Sequence, residues 1–385
     1  MYRRLGAAAG IVAAAALLCA HAGGASSQHS AARHVLVGIV DDAQTLYGDP
    51  DHTFPILKQL RVQVVRVNLW WGGRYGVAKT KPQALATNPN DPAYDWQLYD
   101  RVVRHAHDSG IKVLFSVVGT PTWSNPAGSS RAPRNPDDLK RFAFAAATRY
   151  SGSFKASDGS TLPPVRMWLA WNEPNNPVNL YPQYKRVGKR WVIQSAVDYA
   201  KICAAVYAGV HATKLPNEKV ACGGTSPRGN NSPGSSRPSV SPLAFLRALK
   251  TAGLKSFDAY AHHPYYGSPT ETPSSRPKTP NTAVVLGNLD DLVAELTRLY
   301  GPKRIWLTEY GYQTNPPDTS FGVSWKKQSQ YLTQAFAIAR KNPRVDLMCW
   351  FLLRDDSYLP GWQSGLFTSS GVRKPAFNAF AKLPH

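Results

Sequence analysis

The sequence has few cysteines and no long hydrophobic run beyond its first residues. Only four of the 385 residues are cysteine, and none of their spacings is typical of a metal site. No later segment reaches the roughly 20 apolar residues that a membrane helix needs, so we expect no membrane insertion. No Gly-x-Gly-x-x-Gly follows the first predicted strand, which argues against an open dinucleotide-binding sheet.

Acidic residues are also scarce: the chain has 24 Asp and Glu but 45 Lys and Arg, which gives a net charge of +21. No nucleic-acid-binding module or concentrated basic helix accompanies this charge, so we expect no nucleic-acid partner. Several basic residues fall on predicted loops: Arg131, Arg134, Lys185, Arg186, Lys189, Arg190, Arg228, Arg237 and Arg276. They either line a cleft for an anionic substrate or are solvated loop charges, and both interpretations stay open.

The N-terminus has the pattern of an export signal. Arg3 and Arg4 precede a short apolar run (11–20), and an Ala-His-Ala cleavage pattern follows. We therefore predict a signal peptide over residues 1–25 and a secreted protein.

Three cysteines lie beyond this signal: Cys203, Cys222 and Cys349. Cys203 falls in a predicted helix and the other two in predicted strands, so buried free thiols are the default expectation. A Cys203–Cys222 disulfide is the alternative, which spacing alone does not decide.

The rest of the chain alternates between strand-like and helix-like segments. β-branched apolar runs occupy 35–40, 62–70, 111–118, 165–171, 219–222, 257–261, 304–309 and 345–352. Amphipathic stretches between them predict helices at 98–107, 137–150, 197–210, 243–250, 289–299 and 329–339, with a last helix at 375–381. Eight such units without a break in composition predict one (β/α)8 barrel over residues 34–385. The segments after the strands are long, which places the active site at the C-terminal face of the barrel.

Two glutamates end predicted strands. Glu173 follows Trp-Leu-Ala-Trp-Asn, and Glu309 follows Ile-Trp-Leu-Thr. Because side chains alternate along a strand, Glu173 should point into the barrel, as Met167, Leu169 and Trp171 should. Asn172 should point the other way, so it reaches the same site only if the regular strand geometry is interrupted there. A carboxyl pair at a barrel mouth is what hydrolysis of a glycosidic bond needs; the alternative is a structural ion pair with an Arg or Lys.

The two glutamates belong to an ordered set of motifs. Trp-Asn-Glu-Pro-Asn at the fourth strand and Leu-Thr-Glu-Tyr-Gly at the seventh are joined by Arg66, by His263-Pro264-Tyr265 and by Trp350. The tail Gly-Val-Arg-Lys-Pro-Ala-Phe (371–377) completes the set. This set resembles the retaining glycoside hydrolases of the (β/α)8 clan that includes the family 5 cellulases and the family 39 xylosidases and iduronidases.

The resemblance implies roles for these residues. Glu173 would be the acid/base, which must stay protonated near neutral pH, and Glu309 the nucleophile, which Arg66 and Tyr265 would keep ionised. Asn172 would bind the sugar 2-hydroxyl, and a retaining enzyme would hold the two carboxyls about 5 to 5.5 Å apart. No cofactor would be required.

Other residues are weaker candidates for the substrate site. His263 should face the site, whereas His262 should pack toward the helices, so we expect no metal site on this pair. Trp123 and Trp350 are candidate sugar platforms, and packing is the alternative for each. Asp41 and Asp42 either bind sugar hydroxyls or are solvated loop acids.

The sequence thus predicts a secreted, monomeric glycosidase acting on a poly- or oligosaccharide. A transglycosidase would use the same covalent intermediate with a sugar acceptor. A barrel that binds polysaccharide without catalysis is the alternative from another class.

Overall fold

The structure, a computed structural model, describes residues 34–83 and 86–384. Its central element is a closed barrel of parallel strands in the order β1-β10-β9-β8-β7-β4-β3-β2. These strands are β1 (Leu36–Val40), β2 (Val64–Trp70), β3 (Lys112–Val118), β4 (Met167–Ala170), β7 (Lys219–Thr225), β8 (Ala259–His262), β9 (Arg304–Tyr310) and β10 (Val345–Phe351). The predicted single (β/α)8 barrel is confirmed, and each predicted strand is present. The predicted signal peptide lies outside the described residues.

Helices surround the barrel. They are α1 (Asp42–Thr45), α2 (Pro50–Gln59), α3 (Gln97–Asp108), α4 (Pro136–Arg149), α5 (Gln194–His211), α6 (Pro242–Thr251), α7 (Leu289–Tyr300), α8 (Trp325–Lys341) and α9 (Pro375–Ala381). Several begin at clear start signals: Asn135 caps α4 by accepting from the amide of Asp137, and Pro136 takes the first turn, where no amide donor is needed. None of the described helices combines the length and the apolar character that a bilayer crossing needs.

The strands bury both of their faces. A small cluster fills the barrel interior, with Val64, Leu114, Leu169, Trp306 and Leu347 among its members. A much larger cluster lies between the outer face of the barrel and the helices. Because both faces are apolar, the strands read as continuous hydrophobic runs rather than as an alternation.

A disulfide joins helix α5 to strand β7. It links Cys203 to Cys222, and both residues are fully buried. The default expectation of free thiols is therefore wrong for these two, and the alternative is confirmed. Cys349, inside the barrel, is a buried free thiol as expected.

Two features were not predicted. The short helices α1 and α2 occupy the connection between β1 and β2. A two-stranded antiparallel hairpin, β5 (Lys185–Val187) and β6 (Arg190–Val192), projects from the long connection between β4 and α5.

Candidate active site

The backbone leaves the strand pattern directly after β4. Trp171 and Glu173 both have positive φ, at 69° and 39°, which side-chain-bearing residues rarely adopt. The indole of Trp171 donates to the carbonyl of Asn179, and the amide of Glu173 donates to the carbonyl of Gly224 at 2.8 Å. Trp171 therefore packs in the outer cluster, so the parity predicted for it is wrong. The local break in the pleat brings both Asn172 and Glu173 to the site.

Glu309, at the end of β9, lies beside Arg66 from β2. The Arg66 guanidinium is fully buried and donates to Oε1 of Glu309, while its second terminal nitrogen donates to Oδ1 of Asn172 at 2.7 Å. Its Nε donates to the hydroxyl of Ser116 at 2.7 Å. The phenol of Tyr265 donates to Oε2 of Glu309 at 3.0 Å. Arg66 thus positions both Glu309 and Asn172.

His263 lies between the two glutamates. Its Nδ1 is 3.1 Å from Oε1 of Glu173 and 3.6 Å from Oε2 of Glu309, and its Nε2 is 3.0 Å from the hydroxyl of Thr308. His262 faces away, with Nδ1 at the hydroxyl of Thr225 and Nε2 at the carbonyl of Val284. The opposite orientations predicted for the two histidines are confirmed, and burial lowers the pKa of His262 to about 3.

The two carboxyl groups have different electrostatic surroundings. Burial acts to raise the pKa of Glu309, but the charges of His263 and Arg66, with the hydrogen bonds from Arg66 and Tyr265, together lower it below its ordinary value. Glu173 accepts a hydrogen bond from the Asn176 amide at 3.2 Å, and within the described part of the chain no Lys or Arg forms an ion pair with it. Glu309 is therefore held ionised, whereas among the described residues only the imidazole of His263 lies at ion-pair distance from Glu173.

Tyr265 stays protonated beside these carboxyls. Burial, together with the negative charges of Glu309 and Glu173, raises the pKa of its hydroxyl well above the usual range. The hydroxyl is thus a permanent hydrogen-bond donor to Glu309.

Glu173, His263 and Glu309 each offer one potential ligand atom, and these atoms lie within 4.8 Å of one another. A cation there would compete with Arg66, whose guanidinium already contacts Glu309. The donor set therefore fits an acid–base pair better than a metal centre, and the absence of a metal stays a prediction.

A cleft of about 190 Å³ lies along the ends of β2, β3 and β4, and Asn172 is the residue that it shares with the Arg66 hydrogen bonds at the site. Its lining residues are Asn68, Trp70, Val118, Gly119, Ser129, Ser130, Trp171, Asn172, Val178 and Asn179. Asn68 and Trp70 share the inward parity of Arg66 on β2. Alternation along this strand was the signal that could have identified them in the sequence.

The predicted sugar platforms are corrected. Trp350 has no exposed surface: its indole lies in the outer cluster and donates to the carbonyl of Ser364 at 2.9 Å. Inward positions on β10 belong to Leu347, Cys349 and Phe351, so Trp350 points toward the helices. Trp123 donates to the carbonyl of Ala78 and meets the buried Trp71 edge-on at 5.4 Å, which is a packing role.

A different tryptophan, Trp362, lies at the site. Trp362, from the connection after β10, is 37% exposed and lies 5.0 Å from the ring of Tyr265 and 5.4 Å from that of Phe351. The sequence did not predict Trp362 at the site, because its loop has no periodicity that would show where the side chain points.

The two acids after β1 separate into different roles. Asp41 is buried and accepts from the backbone amides of Gln44, Leu353 and Arg354, which ties the end of β1 to the end of β10. Asp42 accepts twice from Asn68, through its backbone and side-chain amides. Burial is the largest influence on Asp42 and raises its pKa to about 6, with a smaller contribution from the charge of Glu309. Asp42 therefore contacts a residue that lines the cleft, whereas Asp41 belongs to the framework.

Residues 244–380 match the family described as glycosyl hydrolase catalytic core. The match covers about a third of the chain, so it shows a similarity of this part to that family. The matched part contains His263, Tyr265 and Glu309, whereas Glu173 lies outside the matched residues. The match agrees with the expected glycosidase, and the catalytic domain predicted over residues 34–385 stays a prediction. No curated protein matches the sequence.

Solved glycoside hydrolases share the fold across nearly the whole chain. A family 39 glycoside hydrolase from Bacteroides cellulosilyticus WH2 aligns with a TM-score of 0.60 at 20% identity, over 91% of this chain and 63% of that protein. A glucosidase from Croceicoccus marinus aligns with a TM-score of 0.63 at 15% identity, over 91% and 66%. The GH5_18 protein from Streptomyces cattleya, solved in complex with GlcNAc, aligns with a TM-score of 0.56 at 15% identity, over 91% and 79%. The chain thus spans slightly less than two thirds of the first two proteins, and the resemblance to (β/α)8 glycoside hydrolases is confirmed in fold.

Proposed function

We propose that this protein is a secreted retaining glycoside hydrolase that cleaves O-glycosidic bonds of a poly- or oligosaccharide by double displacement. The observation that carries the proposal is the pairing of Glu173 and Glu309, which have one carboxylate oxygen each within 4.8 Å of the other and differ in their neighbours. This separation supports retention, because inverting enzymes hold their carboxyls roughly 6.5 to 9.5 Å apart to admit a water.

Glu309 is the nucleophile of this mechanism. Its lowered pKa keeps it ionised, and Arg66 and Tyr265 hold its two oxygens in place. In the first step one oxygen bonds to the anomeric carbon while the glycosidic bond breaks, which gives a covalent glycosyl-enzyme.

Glu173 is the acid/base. In the first step it gives its proton to the departing glycosidic oxygen. In the second it takes a proton from the water that attacks the glycosyl-enzyme and releases Glu309. One residue thereby serves as acid and then as base.

Asn172 and Asp42 supply polar contacts to the sugar. Arg66 already occupies the amide oxygen of Asn172, which leaves the amide nitrogen as the donor for the 2-hydroxyl. Trp362 and Trp70 offer aromatic faces on which apolar sugar faces stack.

Secretion is supported by the Cys203–Cys222 disulfide, because such bonds persist in oxidising compartments. We also propose that the protein is a monomer.

The test is a hydrolysis screen of purified protein on neutral and anionic polysaccharides and on aryl glycosides. Glu309→Gln should lower kcat/KM roughly 10⁴-fold or more on every substrate cleaved. Glu173→Gln should lower it about 10²- to 10⁴-fold on polysaccharide, and much less on glycosides whose leaving group needs no proton.

Glu218→Gln is the matched control, because Glu218 directly precedes β7 at the other end of the barrel from the site. It should keep wild-type activity. Hydrolysis that survives Glu309→Gln at the wild-type rate would overturn the assignment.

A further inference from the structure

The connection between β4 and α5 links the catalytic residues to a basic surface. It begins with Asn172 and Glu173, and its next part, Val178 and Asn179, forms a wall of the cleft. It then reaches the hairpin β5–β6 before α5 begins at Gln194. Substrate extending from the cleft along this connection would meet the hairpin.

The hairpin carries four basic side chains, Lys185, Arg186, Lys189 and Arg190, and all four residues are exposed. Within the described residues none of them forms an ion pair with an Asp or Glu, although Arg186 donates to the carbonyl of Gly188. Four cations without an ion-pair partner among the described residues therefore lie on one small turn.

Other basic loop residues are neutralised by the protein itself. Arg228 pairs with Glu271, and Arg276 pairs with both Asp290 and Asp291. The two interpretations of the basic loop residues therefore apply to different residues. Arg228 and Arg276 form ion pairs within the protein, whereas the hairpin cations are available to a ligand.

Arg131 and Tyr181 connect the cleft with the hairpin. The Arg131 guanidinium lies 4.3 Å from the centre of the Tyr181 ring, and the Tyr181 amide donates to the carbonyl of Ser130, which lines the cleft. Burial raises the pKa of Asp198, while the charges of Lys201, Lys185 and Arg131 act to lower it. Lys185 and Arg131 therefore act on the same carboxylate and lie on the same side of the molecule.

The hairpin also exposes an aromatic face. Trp191, paired across the strands with Arg186, is 52% exposed, and Tyr181 is exposed as well. Cations interleaved with exposed aromatic rings suit a polymer that offers both carboxylates and flat sugar faces.

We propose that the hairpin β5–β6, with Arg131 and Tyr181, is an extended binding surface for a carboxylate-bearing polysaccharide whose chain enters the catalytic cleft. The inference rests on the proposed function, and it assigns that function an acidic, uronate-containing substrate. The carboxylates contact Lys185, Arg186, Lys189 and Arg190, and a sugar ring stacks on Trp191. Nucleic acid shares the negative charge, but the continuity with a glycosidase cleft favours a polysaccharide.

The experiment measures equilibrium binding in the Glu309→Gln background, so that binding is independent of hydrolysis. The probes are polygalacturonate, its fully methyl-esterified form, which has the same backbone without charge, and single-stranded DNA. One variant changes Lys185, Arg186, Lys189 and Arg190 to Gln. The control changes four exposed lysines near the N-terminal ends of the barrel strands to Gln: Lys58, Lys112, Lys219 and Lys255.

The hairpin variant should bind polygalacturonate at least about tenfold more weakly at roughly 50 mM salt, with a flatter salt dependence. The control variant, with an equal change in net charge, should bind like its parent. Trp191→Ala should weaken binding of both the charged and the esterified polymer.

Three outcomes would overturn the proposal: equal losses in the hairpin and control variants, equal affinity of the parent for the two polymers, or DNA binding as tight as polygalacturonate binding. These results are separate from a failure of the proposed function. If the proposed function were wrong, the wild-type protein would hydrolyse no glycan, but the difference in binding between the hairpin and control variants would persist.

Discussion

Arg66→Met is the substitution whose effect follows most directly from the geometry of the site. Methionine can fill the space of the aliphatic stem, but it leaves Glu309 buried without its guanidinium partner, and Ser116 and Asn172 lose their donor. The Glu309 side chain is only 12% exposed, so water replaces the lost partner poorly. Removing one member of a buried ion pair costs about 3–5 kcal/mol of unfolding free energy, and we expect a loss in this range near neutral pH.

The loss should depend on pH. In the wild type the lowered pKa means that Glu309 stabilises the fold above its ordinary pKa of 4.5, and this contribution disappears as the pH falls through the folded-state value. Without Arg66, only the charge of His263 and the hydrogen bond from Tyr265 oppose the effect of burial, so the pKa of Glu309 rises from its wild-type value and the ionised form stabilises the fold less. The difference between the two proteins should therefore be largest at neutral pH and smaller at about pH 4.

Urea unfolding of the wild type, Arg66→Met, Glu309→Gln and the double variant measures this coupling. A buried charge pair should give an interaction energy of roughly 2 kcal/mol or more at neutral pH, because Gln at 309 needs no cation. A loss below about 1 kcal/mol for Arg66→Met, or one that neither low pH nor Glu309→Gln reduces, would refute the reasoning.

Three further predictions concern the framework and the cleft. Replacing Cys203 and Cys222 by Ala should cost about 3 kcal/mol in urea unfolding, because their bond closes a loop with a sequence separation of 19; no change on reduction would contradict this. Lys374→Met leaves buried Asp355 unpaired and should cost about 3–5 kcal/mol, part of which Asp355→Asn should restore. Trp362→Ala should raise KM roughly tenfold with little change in kcat, whereas an unchanged KM would remove Trp362 from the substrate site.

The sequence was sufficient to predict the barrel. β-branched runs alternating with amphipathic segments identified each barrel strand, and helix α9 was predicted with its exact bounds, Pro375–Ala381. Contacts between segments that are distant in the sequence were harder to predict. Spacing did not distinguish a Cys203–Cys222 disulfide from free thiols, because the distance between α5 and β7 is set by packing.

At the site, alternation was informative only inside regular strands. It oriented His262 and His263 correctly, but it failed after Ala170, where Trp171 and Glu173 adopt positive φ. Trp350 was misassigned because every residue of its strand except Asp346 is apolar, so no polar alternation shows which side faces the barrel interior. The hairpin β5–β6 is short and exposed on both strands, and it has no hydrophobic period to detect.

The most direct test of the proposed mechanism is to find the residue that carries the glycosyl intermediate. An activated glycoside of a sugar found in the hydrolysis screen, with a fluorine at C2 to slow turnover, would be incubated with the enzyme. Proteolysis and mass spectrometry would then locate the adduct. We predict one glycosyl group on Glu309, and none on the Glu309→Gln variant. An adduct on Glu173, or hydrolysis without any adduct and with inverted configuration in the product, would contradict the account.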